Sequence, residues 1–175
     1  LAVGTVQEFS EVTVTGDALP AFDSAANPDP AVGMTAPTLT GKSFTGNVVT
    51  TESTGTPTLT IFLAHWCPHC NYEVPVLNEW KANGLVPPNL RVVGVTTASR
   101  QDQANWPPSK WLVAKKWTFD QFADSEEQEA AAAYGVGGYP FLVFIDEMGN
   151  VTSRTSGEVP VEDITKAAHA AAGVK

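Results

Sequence analysis

The sequence predicts an α/β protein in which a central mixed β-sheet is flanked by helices. Three observations predict it. Apolar runs of strand length over residues 58–64, 90–96 and 139–146 alternate with segments of helical pattern. The third run is followed by Met148-Gly149-Asn150 and a further strand-like stretch over residues 151–156, which together read as a β-hairpin. The chain then closes on a helix opened by Pro160, with Val161, Ile164, Ala168 and Ala171 on one face and Gly173 at its end.

Taken in order, residues 1–32 read as an N-terminal extension or linker ahead of one domain over residues 33–175. Residues 6–15 alternate loosely enough for a strand, and Asn27-Pro28-Asp29-Pro30 is turn punctuation. Thr, Gly and Ser dominate between Gly33 and Pro57, where short β-like pieces around 38–44 and 48–51 read as a small hairpin. After the buried strand at 58–64 comes a helix from 67 to about 83, stopped by Gly84 and Pro87-Pro88. Tyr72, Val76, Leu77 and Trp80 are expected on its apolar face. A strand at 90–96 leads to a helix over 101–116, which Pro107-Pro108 must break or restart. A strand at 118–123 precedes a helix over 126–134 with acidic residues in its first turn, where the helix dipole favours them.

The balance of charge excludes some functions. With a net charge of -9 and no Lys/Arg cluster, the chain has no means of neutralising a phosphate backbone, so nucleic acid is not an expected partner. No apolar stretch approaches the roughly 18 residues that span a bilayer, and no signal peptide is recognisable. The chain starts at Leu1 rather than at a methionine, which fits either a removed targeting or anchoring segment or a trimmed chain.

The two cysteines of the chain stand in Trp66-Cys67-Pro68-His69-Cys70, directly after the first long apolar strand. Pro68 is suited to the first position of a helix, which sets the Cys67 sulfur beside unpaired backbone N–H groups. A thiolate is favoured there, so redox chemistry is the leading reading. The rival readings are a plain structural disulfide and a zinc site completed by His65 and His69. Zinc is disfavoured because structural sites bring ligand pairs from separated segments, whereas these four residues crowd together. His65 and His169 read as packing or surface residues, Trp66 as either packing or substrate contact, and Trp80, Trp106, Trp111 and Trp117 as packing.

Gly33-Met34-Thr35-Ala36-Pro37-Thr38-Leu39, the segment from Trp66 to Pro75, and Tyr134-Gly135-Val136-Gly137-Gly138-Tyr139-Pro140 leading into Phe144-Ile145-Asp146 occur in that order. In this combination the chain resembles the thioredoxin fold and, within the thioredoxin-like AhpC/TSA-Redoxin superfamily, the TlpA/ResA-like extracytoplasmic thiol-disulfide oxidoreductases. The resemblance covers roughly residues 33–160. The Pro-x-x-x-Thr/Ser-x-x-Cys pattern of peroxiredoxins is missing before either cysteine.

The resemblance implies roles. Cys67 would be the exposed nucleophile and Cys70 the buried resolving thiol, with their disulfide the only redox group and no metal or other cofactor. His69 would set direction by stabilising the Cys67 thiolate, and the dipeptide Pro68-His69 is that of DsbA-type oxidases. Those lie near -120 mV against about -270 mV for thioredoxin, a gap of about 7 kcal/mol. Glu73 matches the active-site glutamate of ResA-like proteins and would shuttle the Cys70 proton. Ile61 stands where thioredoxins proper usually carry an aspartate, and Pro75 would kink the helix. The Tyr139-Pro140 bond would be cis, leaving the Tyr139 backbone free to pair with an extended substrate. Expected partners are cysteine-containing extracytoplasmic proteins and a membrane thiol oxidoreductase that recharges the pair, with the chain itself a monomer. Oxidation of secreted proteins is the leading activity. The alternatives are a reductase, for instance of cysteines awaiting haem attachment in cytochrome c maturation, and a non-catalytic binding module.

Overall fold

The sheet is organised around β4 (Thr58–Leu63), whose six residues are all buried. The computed structural model describes residues 6–51 and 55–174, so residues 1–5 of the predicted extension and residues 52–54 and 175 of the predicted domain lie outside it. β4 pairs in parallel with β5 (Arg91–Thr96), and β5 in parallel with β6 (Asp120–Ala123). On its other side β4 pairs antiparallel with β7 (Phe141–Ile145), which forms a hairpin with β8 (Val151–Ser156). The remaining strands are β1 (Thr13–Thr15), β2 (Thr38–Lys42) and β3 (Val48–Thr50). β2 pairs antiparallel with β1, β3 and β6, which gives the order β1-β2-β6-β5-β4-β7-β8 with β3 on β2. The helices are α1 (Pro68–Ala82), α2 (Pro108–Ala114), α3 (Glu129–Ala133) and α4 (Val161–Ala172). This is the expected mixed sheet with helices on its faces and a small N-terminal hairpin.

Alternation along the central strands divides the core in two. Leu59, Ile61 and Leu63 of β4, with Leu142 and Phe144 of β7, pack against Val74, Leu77 and Trp80 of α1 and Ile164, Ala168 and Ala171 of α4. Phe62, Val93, Val95, Phe122, Phe141 and Val143 face the opposite side, where α3 and Tyr134 cover them together with Leu39, Leu19 and Ala31. The segment before β2 is tied down by Arg154 of β8, whose side chain is fully buried. Its guanidinium donates to both carboxylate oxygens of Asp29, at 2.8 and 2.7 Å, and to the carbonyls of Pro20 and Tyr134.

Several elements depart from the expected bounds. Tyr72 is not on the buried face of α1 but 67% exposed; the buried positions are Cys70, Glu73, Val74, Leu77 and Trp80. A stripe with spacings of three and four that includes 70 and 77 turns 72 outward, and it brings a carboxylate inward instead. The helix expected over 101–116 contracts to α2, because Pro107 lacks an N–H and Pro108 is suited only to a first turn. The helix expected over 126–134 contracts to α3. The Asp124 carboxylate takes the N–H groups of Ser125, Ala130 and Ala131, and Gln128 adopts a left-handed φ of 60°. The loose alternation of residues 6–15 yields only the short β1.

Candidate active site

The carboxyl end of β4 runs through Ala64, His65 and Trp66 into α1, and Cys67 caps that helix with extended backbone dihedrals of -77° and 121°. Pro68 occupies the first turn as expected. The Cys67 N–H donates to the Ala64 carbonyl at 3.1 Å, and the Cys67 carbonyl accepts from both the backbone and the side-chain amide of Asn71. Asn71 also accepts from the Trp111 indole and so ties α2 to the start of α1.

Both cysteines are free thiols. Cys67 retains 7% of its surface and Cys70 none, so Cys67 is the more accessible but is not an open surface group. The Cys67 thiol donates to the Tyr139 carbonyl at 3.5 Å, and the Tyr139–Pro140 bond is cis. Burial pushes the Cys70 thiol well up from its ordinary value; the adjacent Cys67 sulfur and the Glu73 carboxylate push the same way, against a backbone bond from Ala64.

Glu73, one turn beyond Cys70 on the same face, is only 1% exposed. The Val159 N–H donates to its Oε2 at 3.1 Å, while Oε1 has no partner. Burial pushes this carboxyl up to about 7, the Val159 bond opposes that, and the charge of Glu158 adds to it. His69 lies on the rim and is hydrogen bonded through Nδ1 to Glu158 Oε2 at 2.7 Å. The imidazole is thus engaged by a carboxylate of the β8–α4 turn as well as standing next to the cysteine pair in sequence.

An aromatic pair borders the thiols. Trp66 donates its indole N–H to the Ala98 carbonyl at 2.8 Å and meets the Tyr139 ring edge to face, with centroids 6.1 Å apart. The Tyr139 hydroxyl donates to Gln128 Oε1 at 3.3 Å. Trp66 therefore packs and borders the site at once, while Pro140 accepts the Gly157 N–H at 2.8 Å.

His65 is fully buried. Its Nδ1 is 2.7 Å from the Ala104 carbonyl and its Nε2 accepts from the Arg100 N–H at 3.0 Å, so both ring nitrogens hold the loop between β5 and α2 and neither is free for a metal. Burial lowers its pKa, against the Ala104 bond. No group of three His, Cys, Asp or Glu side chains suited to a metal ion comes together among the described residues. No helix among them is long and apolar enough to cross a membrane. Glu158, Asn71 and Gln128 carried no signal in the sequence. Glu158 meets its partner 89 positions away and nothing in its local pattern marks it.

A CxxC pair at a strand-to-helix junction, with the second thiol buried and the first against a cis-proline loop, defines a redox protein of thioredoxin fold. Within that class the chain belongs to the AhpC/TSA family, whose model matches residues 32–154. Among solved structures it is similar to DsbF of Mycobacterium tuberculosis, with 29% identity and a TM-score of 0.63 over 76% of this chain and 94% of that one. It is also similar to a Chlorobium tepidum protein assigned as the thiol:disulfide interchange protein DsbE, with 26% identity and a TM-score of 0.66 over 80% of this chain and 96% of that one. StoA from Bacillus subtilis shares the fold at 21% identity and a TM-score of 0.64, over 79% of this chain and 98% of that one. No curated protein matches the sequence.

Proposed function

We propose that the protein is an extracytoplasmic thiol-disulfide oxidoreductase that oxidises dithiols of secreted proteins through a Cys67–Cys70 disulfide. The observation that carries the reading is the placement of the Cys67 sulfur at the N-terminus of α1, 3.5 Å from the Tyr139 carbonyl, with Cys70 buried behind it. In the oxidised protein a substrate thiolate attacks the Cys67 sulfur, the Cys67–Cys70 bond breaks, and Cys70 leaves as a thiolate that takes a proton from the neighbouring Glu73 carboxyl. A second substrate thiolate then attacks the substrate sulfur of the mixed disulfide and releases Cys67. The substrate loses two electrons and the cysteine pair gains them. A membrane thiol oxidoreductase would return the pair to its disulfide. The extended backbone before Pro140 would pair with the substrate, with Trp66 and Tyr139 flanking its cysteine.

A second reading, a reductase of particular extracytoplasmic cysteines such as those awaiting haem attachment, is favoured by one observation. Glu158 stands against His69, a carboxylate at the rim that opposes thiolate formation in the reduced pair. Equilibration with glutathione buffers separates the two. An oxidase should show a potential above about -250 mV; a value between about -250 and -300 mV would establish the reductase, and one below about -300 mV would leave only a structural brace.

A further inference from the structure

Gly157, Glu158 and Val159 follow one another in the turn between β8 and α4, and each touches a different part of the site. The Gly157 N–H donates to the Pro140 carbonyl at 2.8 Å, Glu158 Oε2 lies 2.7 Å from His69 Nδ1, and the Val159 N–H donates to Glu73 at 3.1 Å. Ion pairs between half-exposed side chains usually contribute little, in part because two long side chains must be ordered. Here the Glu158 backbone is held on both sides by bonds to the site itself, and Pro160 follows directly, so much of that ordering is already in place.

We propose that Glu158 is a positioning residue that holds the cysteine pair more reducing than its Pro68-His69 dipeptide would make it, by binding the imidazole at the rim of the thiol site with a carboxylate. The proposal rests on the thiol-disulfide reading above. His69 and Cys67 share the first turn of α1, so a carboxylate fixed on His69 opposes negative charge on the Cys67 sulfur. Its field also reaches the interior of the site, since it works against ionisation of Glu73.

In Glu158→Gln the amide oxygen still accepts from Nδ1–H but the negative charge is gone. With the His69 contact kept, the charge facing the sulfur is less negative by one unit. The thiolate-bearing reduced form is therefore favoured. Because His69 and Glu158 are 64% and 46% exposed, the effect is screened and modest.

The test equilibrates the wild-type protein, Glu158→Gln, Glu158→Asp, His69→Asn and the His69→Asn/Glu158→Gln double variant with glutathione redox buffers. Glu158→Gln should raise the equilibrium constant for reduction two- to tenfold, about 10 to 30 mV toward less negative potential. Glu158→Asp, which keeps the charge, should stay near wild type. The Glu158→Gln shift should shrink in high salt and by more than half when His69 is Asn. A shift of zero or of opposite sign, or one undiminished in the His69→Asn background, overturns the proposal. If the wild-type protein forms no reversible disulfide at all, the thiol-disulfide reading falls and this proposal with it, whereas a reversible wild-type couple indifferent to Glu158 removes only the proposal.

Discussion

The Val159 N–H donates to one carboxylate oxygen of the buried Glu73 at 3.1 Å and leaves the other oxygen without a partner. A buried carboxyl with a single donor is not sufficiently stabilised as an anion to offset its desolvation, and it keeps its proton up to about pH 7.

This proton affects stability. The unfolded carboxyl titrates near 4.5 and the folded one near 7, so between those values the native state binds the extra proton and stability falls as pH rises. Over that interval the loss approaches about 3 kcal/mol. Urea unfolding at several pH values should show this decline in the wild-type protein and not in Glu73→Gln. Parallel pH profiles for the two would refute it.

The same group should control the rate at which mixed disulfides resolve. If Glu73 accepts the Cys70 proton, the resolving step should accelerate as pH rises through about 7. Glu73→Gln should flatten that rise and slow the step about tenfold or more, with the fold intact by circular dichroism. Stopped-flow measurement of exchange with a fluorescent disulfide reads it, and wild-type rates in the variant would return Glu73 to a packing role.

Division of labour between the cysteines can be checked directly. Because Cys70 is fully buried and Cys67 is not, Cys70→Ala should accumulate mixed disulfides through Cys67 when mixed with an oxidised model substrate, and Cys67→Ala should accumulate none. Mass spectrometry after alkylation distinguishes the adducts. Equal trapping by both variants would contradict the assigned order of attack.

His69 is the donor nearest in sequence to the pair that the β8–α4 turn engages. His69→Ser should make the potential more negative, by a tenfold or greater change in equilibrium constant, about 30 mV. An unchanged potential would mean that the helix N-terminus alone governs the couple.

Asp29 and Arg154 form a bidentate pair whose guanidinium is fully buried. Arg154 holds the Asp29 carboxyl below its usual range, so its contribution is present at neutral pH and lost as pH falls through that lowered value. Asp29→Ala should cost about 3 to 5 kcal/mol by leaving the arginine buried and unpaired. A denaturant midpoint within experimental error of wild type would show that the Asp29–Arg154 pair contributes nothing to stability.

Much of this molecule was legible from local pattern. Buried strands announce themselves as apolar runs, and the hairpin after residue 146 and the Gly173 cap of α4 follow from turn and helix-end chemistry that needs no distant partner. Helix lengths were less legible. The Asp124 carboxylate, bound to three backbone N–H groups, together with the left-handed Gln128, explains why α3 starts at Glu129 rather than near 126. A 3.6-residue period likewise does not say which way a helix faces: by hydropathy Tyr72 would suit the core better than Glu73, and it is the contact of α1 with α4 and β4 that turned one out and the other in.

By itself the sequence determined that two cysteines three positions apart stand at a strand-to-helix junction in an α/β protein, because that is written in neighbouring residues. Tertiary structure decided the environment that sets their reactivity. The bond from Val159 to Glu73 spans 86 positions, that between Glu158 and His69 spans 89, and His65 reaches across the β5–α2 loop. Burial and electrostatic fields are properties of which distant groups share a volume, and no local pattern encodes that.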